Sequence, residues 1–144
     1  MDYEHVFNEK AEDNNYLFVK ATLSYGWGIK PPKDLLFLYD IKKRKAKCIE
    51  KESGKAVKMP LFYSVNADKV FDNDPVIKTY YNDASVYYLM IKNGKRMKEI
   101  SVQGPEVDNY THLNWIFDTF VKLDSGHPLI HRWERRLLRI MGIA

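Results

Sequence analysis

The chain predicts an α+β fold: a mainly antiparallel sheet of about five to six strands with two C-terminal helices packed on one face. Three observations carry this. Apolar residues alternate with period two from Leu17 onward, Asn93-Gly94 marks a tight hairpin between two strand-like runs, and after Asp108 the apolar spacing changes to that of helices.

Residues 1–14 are polar, with Tyr3, Val6 and Phe7 spaced for at most a short helix. Leu17, Val19, Ala21, Leu23 and Tyr25 share one side of a strand and Phe18, Lys20, Thr22 and Ser24 the other; a helix ending at Gly26 is the alternative, because Tyr16, Val19 and Leu23 also share a helical face. Gly26-Trp27-Gly28 and Pro31-Pro32 break the chain. Leu35–Ile41 has the apolar density of a strand buried on both faces, Lys42-Lys43-Arg44-Lys45 is polar enough for a hairpin tip, and Ala46–Glu50 returns. Ser53-Gly54 turns the chain into Ala56–Met59, and Asn66–Pro75 reads as a polar loop. Val76–Tyr81 and Val86–Ile91 are rich in aromatic and β-branched residues. With Asn93-Gly94 as the two loop residues, the register sets Met90 opposite Met97, Tyr88 opposite Glu99 and Tyr87 opposite Ile100. Gly104-Pro105 ends the sheet.

The first C-terminal helix gathers Leu113, Ile116, Phe117, Phe120 and Val121 on one face, with Asp108 or Thr111 as its cap. Asp124-Ser125-Gly126 stops it, and Pro128 opens a second helix with Ile130, Trp133, Leu137, Ile140 and Met141 as its apolar stripe. At 144 residues these elements fit one domain, and 45% hydrophobic and 14% aromatic residues exclude a disordered chain. The single cysteine, Cys48, allows no internal disulfide, and the acidic start MDYEHVFNEK has no apolar stretch of a secretory signal; the expected setting is cytoplasmic, with no membrane contact.

Catalytic patterns are weak. His127, His131 and Glu134 have a zinc-like spacing, but Pro128 stands where the hydrolytic motif needs its glutamate. Cys48 lies in a strand, where a lone cysteine packs more often than it reacts. Asp40, in an apolar run, is the best acid–base candidate, set against a strand-end aspartate serving the lysine hairpin. Asp68, Asp72 and Asp74 lack the glycine and terminal glutamate of a calcium loop. No cofactor, metal or catalytic residue is therefore expected, and an enzyme without a recognisable motif, centred on a pocket near Asp40 or His127, is the weakest alternative.

Binding features are stronger. Trp27, flanked by glycines, is either a lid over the core or a contact residue. On a helical wheel Trp115 falls near Thr111, Asp118 and Lys122, opposite Leu113 and Phe117; unless another element covers it, it is an exposed aromatic anchor. Arg132, Arg135, Arg136 and Arg139 form a stripe opposite the second helix's apolar face, with only Glu134 to offset them. These six residues are the expected contacts of a non-catalytic interaction protein. In size and composition the chain resembles the small immunity proteins that neutralise bacterial toxins, a likeness that implies a cognate toxin as partner and occlusion as mechanism. Such inhibitors of nucleases use acidic faces, whereas this chain has a net charge of +4. The alternative partner is nucleic acid, held by Lys42, Lys43, Arg44, Lys45 and Lys47, with Tyr39 and Tyr63 for stacking if they face outward.

Overall fold

The computed structural model describes residues 1–26, 30–59, 65–72 and 84–123. Five antiparallel strands, β1 (Tyr16–Ser24), β2 (Lys33–Asp40), β3 (Lys45–Glu50), β4 (Val86–Asn93) and β5 (Arg96–Gln103), form one sheet in the order β3-β2-β1-β4-β5. Three helices, α1 (Tyr3–Lys10), α2 (Ala67–Asp72) and α3 (Asn114–Leu123), flank it. The expected strand at Val76–Tyr81 and the second C-terminal helix lie outside the described residues.

Alternation decides both faces. Leu17, Val19, Ala21 and Leu23 of β1 join Leu35, Phe37 and Tyr39 of β2 and Tyr87, Leu89 and Ile91 of β4 in the main core, under Ile116, Phe117 and Phe120 of α3. The helical alternative for residues 16–26 loses because β1 pairs on both sides, with β2 and with β4. The opposite, outer face holds Phe18, Leu36, Leu38 and Ile49, packed against Phe7 and Ala11, with Tyr3 and Val6 alongside. Tyr3, Val6, Phe7 and Ala11 are spaced as one helical stripe, and the Asp2 carboxylate caps the start by accepting from His5 N at 3.1 Å. Two lysines pin α1: Lys20 meets Glu4 at 2.8 Å, and Lys92 Nζ donates to Asn8 O at 3.1 Å.

Several expectations are corrected. Residues 67–72 form α2 rather than a loop, with Val70 buried in the core. Its last carbonyls, Val70 O and Phe71 O, accept from Lys98 Nζ at 3.3 and 3.1 Å, a cation at the negative end of the helix. The β4–β5 turn uses Gly94-Lys95, so Asn93 pairs with Arg96, Met90 with Glu99 and Tyr88 with Ser101. This differs from the expected register by two residues, which preserves the face each side chain occupies. The cause is Asn93: its Nδ2 donates to Asn14 O and Tyr16 O, both at 2.8 Å, holding it in the ladder. Gly94 then takes φ 62° as the first central residue, where a β-carbon would collide with Asn14 Oδ1 and sit 2.9 Å from its Cγ. Finally, α3 begins at Asn114, after two 3-10 turns at Gly104–Asn109 and Thr111–Leu113, so neither Asp108 nor Thr111 caps it. In the first turn Glu106 Oε1 accepts from Gln103 N at 3.2 Å, while its Oε2, buried, has no hydrogen-bond partner among the described residues. Burial holds this carboxyl above the usual glutamate range.

Candidate interaction surfaces

Trp115, expected as an exposed anchor, is a core residue. It is 2% exposed, lies edge-on to Phe37 at 5.4 Å and tilted to Tyr39 at 6.0 Å, and its Nε1 donates to His112 O at 3.2 Å. The wheel fails because the buried arc is wide. Trp115, Ile116, Phe117, Thr119 and Phe120 are all buried, and residues 115 to 117 alone span about 200° of helix circumference. Trp115 sits at the margin of that arc in the first turn, where a long side chain leaning toward the helix start reaches the sheet. Tyr39, expected to offer a stacking surface, is buried by the same contact. Trp27, Tyr63, Arg132, Arg135, Arg136 and Arg139 lie outside the described residues, as do His127, His131 and Glu134.

The candidate chemical groups are engaged structurally. Asp40 Oδ1 accepts from Lys43 N at 3.1 Å and from Asn15 Nδ2 at 3.0 Å, which organises the β2–β3 turn and lowers the carboxyl's pKa, the backbone hydrogen bond contributing most. Cys48 is buried, and desolvation, with the Glu50 charge adding to it, pushes its thiol up to about 12. Such a thiol is protonated and unreactive at neutral pH. Asp68 binds Arg96 at 2.7 Å. Among the described residues no three His, Cys, Asp or Glu side chains are placed to hold a metal ion. No helix among them is long and apolar enough to cross a membrane.

The part of the outer sheet face that no described element covers was missed by sequence. A helix is about 10 Å across and strands lie about 4.8 Å apart, so α1 shields roughly two of the five strands. It shields β1 and β2. On β4 and β5 part of the outward row remains open among the described residues: Tyr88 is 51% exposed and Met97 62%, with Met90 half-buried on the same face, while Lys92, opposite Met97, is buried against Asn8 of α1. Here α1 forms a wall, and a groove of about 510 Å³ is lined by Glu4, Lys20, Thr22, Tyr88, Met90 and Ser101 among others. Glu4 is held below the usual glutamate range, chiefly by its hydrogen bond to Lys20, with Lys51 on its other oxygen at 3.2 Å. The wall is thus a polar rim beside a floor on which Tyr88 and Met90 are flanked by Thr22, Glu99 and Ser101. The sequence concealed this because both alternating sets of β4 are apolar, which reads as burial on both sides.

The second surface is the β2–β3 hairpin. Lys42, Lys43, Arg44, Lys45 and Lys47 are all exposed, as expected. Arg44 has φ 53°, a left-handed conformation that costs a non-glycine residue about 1–2 kcal/mol.

No protein-family model matches this chain, and neither a curated protein nor a solved structure matches it.

Proposed function

We propose that this chain is a non-catalytic binding protein whose contact surface is the uncovered outer face of β4 and β5, and whose specific form is an immunity-type inhibitor that occludes the active surface of a toxin. The single observation behind the binding role is the exposure of Tyr88 and Met97 on the outer face of β4 and β5, with Tyr88 and half-buried Met90 lining the groove beside the α1 wall. A tyrosine with one ring face open and adaptable methionines beside it are side chains that interfaces favour. These side chains rest on a sheet whose other face is packed against α3, so little ordering is needed when a partner docks. Thr22 and Ser101, paired with Tyr88, and Glu99, paired with Met90, add polar groups directly beside them, where hydrogen bonds fix orientation and exclude unsuitable partners.

The test is affinity capture from nuclease-treated extract of the source cells, comparing the native chain with Tyr88→Glu/Met97→Glu. A protein retained by the native chain and lost from the variant, with the variant's urea midpoint unchanged, supports the binding surface. Equal retention by both places the contact elsewhere. For the toxin form, the product of the adjacent gene is expressed alone and with this chain. Growth arrest relieved by the native chain but not by the variant supports it, and absence of arrest removes it.

A further inference from the structure

We propose that the β2–β3 hairpin is a contact for the phosphodiester backbone of nucleic acid, independent of base sequence and separate from the outer-face strip. The first ground is how charge is partitioned. Lys20, Lys33, Lys51, Lys92 and Arg96 each lie within 4.0 Å of a carboxylate. Lys42, Lys43, Arg44, Lys45 and Lys47 have no such ion pair among the described residues. They are joined by exposed Lys58: Ile49 bridges Ala56 and Val57 N donates to Cys48 O at 2.8 Å, a register that runs residue 58 alongside 47.

The nearby carboxylates do not cancel this cluster. Asp40 is bound into the turn through Lys43 N and Asn15 Nδ2. Asp13 accepts from Asn15 N at 2.9 Å, and Glu12 faces Lys92 at 3.7 Å. Four cations at the turn, continued along β3 by Lys47 and Lys58, therefore outnumber the nearby carboxylates Asp40 and Asp13.

The second ground is what the hairpin lacks. Tyr39, at its base, is buried against Trp115, and Cys48 points into the core. A protein interface needs an apolar or aromatic anchor at its centre, and reading of single-stranded bases needs an exposed ring for stacking. Backbone phosphates need neither; mobile cations that release condensed counterions are sufficient. The composition of the tip thus favours a duplex backbone over an acidic protein.

Fluorescence anisotropy with a labelled 20-base-pair duplex of arbitrary sequence, titrated with the full chain at several salt concentrations, tests this. The variant is Lys43→Gln/Arg44→Asn/Lys47→Gln. Asparagine tolerates φ 53° better than arginine, so this variant removes charge without loading the turn. The native chain is expected to bind at low salt with affinity falling as salt rises. The triple variant should reduce the log–log salt slope by about 2.7, or 0.9 for each cation removed. A control, Lys69→Gln/Lys122→Gln, should keep the native slope. No binding at about 50 mM salt, an unchanged slope in the triple variant, or equally tight binding of polyglutamate would each overturn the proposal.

Discussion

Replacing Trp115 by alanine separates a core residue from an exposed anchor by a large margin. A buried tryptophan removes about 150–250 Å² from water, which at about 25 cal/mol per Å² corresponds to roughly 4–6 kcal/mol as an upper figure. Alanine retains part of this burial, and core Trp→Ala changes cost about 3–5 kcal/mol. The contacts to Phe37 at 5.4 Å and Tyr39 at 6.0 Å are aromatic pairs, each adding about 0.5–1.5 kcal/mol beyond area. The expected loss is therefore about 4 kcal/mol. A domain of this size has about 5–15 kcal/mol in total, so Trp115→Phe is the companion variant. It keeps the ring packing, loses area and the bond to His112 O, and should cost about 1–2 kcal/mol. Urea unfolding followed by far-UV circular dichroism measures both. A change below about 0.5 kcal/mol for Trp115→Ala, as expected of a surface site, would refute the packing described.

Three further outcomes are expected. Gly94→Ala should destabilise by about 1–2 kcal/mol because of φ 62° alone, with displacement of Asn14 adding to it; an unchanged urea midpoint would mean that the turn is not Gly94-Lys95. Glu106→Gln should gain stability relative to the native chain as pH rises above 4.5, since it keeps the acceptor for Gln103 N and cannot ionise where burial disfavours the charge. The raised native pKa means that stability is greatest below the unfolded value of 4.5 and is lost as pH rises through the native value, so the variant's advantage should vanish below about pH 4.5; an advantage constant with pH would contradict this. Cys48 should resist a water-soluble thiol reagent at pH 8 in the native chain and react once the chain is unfolded, and rapid native labelling would contradict its burial.

Much of the sheet was legible because alternation depends on local geometry. Leu17 to Leu23 announce their core face by alternation, whereas Leu35 to Tyr39, apolar throughout, announce only a strand buried on both faces. The β4–β5 hairpin was legible as a hairpin, but its loop pair was decided by distant atoms, the carbonyls of Asn14 and Tyr16 that claim Asn93. A six-residue helix such as α2 offers too few positions for periodicity, and Val70 and Phe71 alone do not distinguish it from a loop. Trp115 was misplaced for a related reason, since a wheel marks the most apolar direction but not the width of the buried arc. The open strip was least legible. Which half of a sheet face stays uncovered depends on where an eight-residue helix lands, and α1 is seated on β1 and β2 by Phe7 and Ala11 packing on Phe18, Leu36 and Leu38, with Lys20 of β1 and Lys92 of β4 tying its two ends.

A protein partner is proposed to dock on the outer face of β4 and β5. Site-specific photocrosslinking tests it most directly, with a benzophenone amino acid placed at position 88 or, as a control, at exposed Lys122 on α3. The expected result is one dominant protein adduct from position 88 in source-cell extract and none of that mass from position 122. No adduct at position 88, or the same set of adducts from both positions, would contradict the claim.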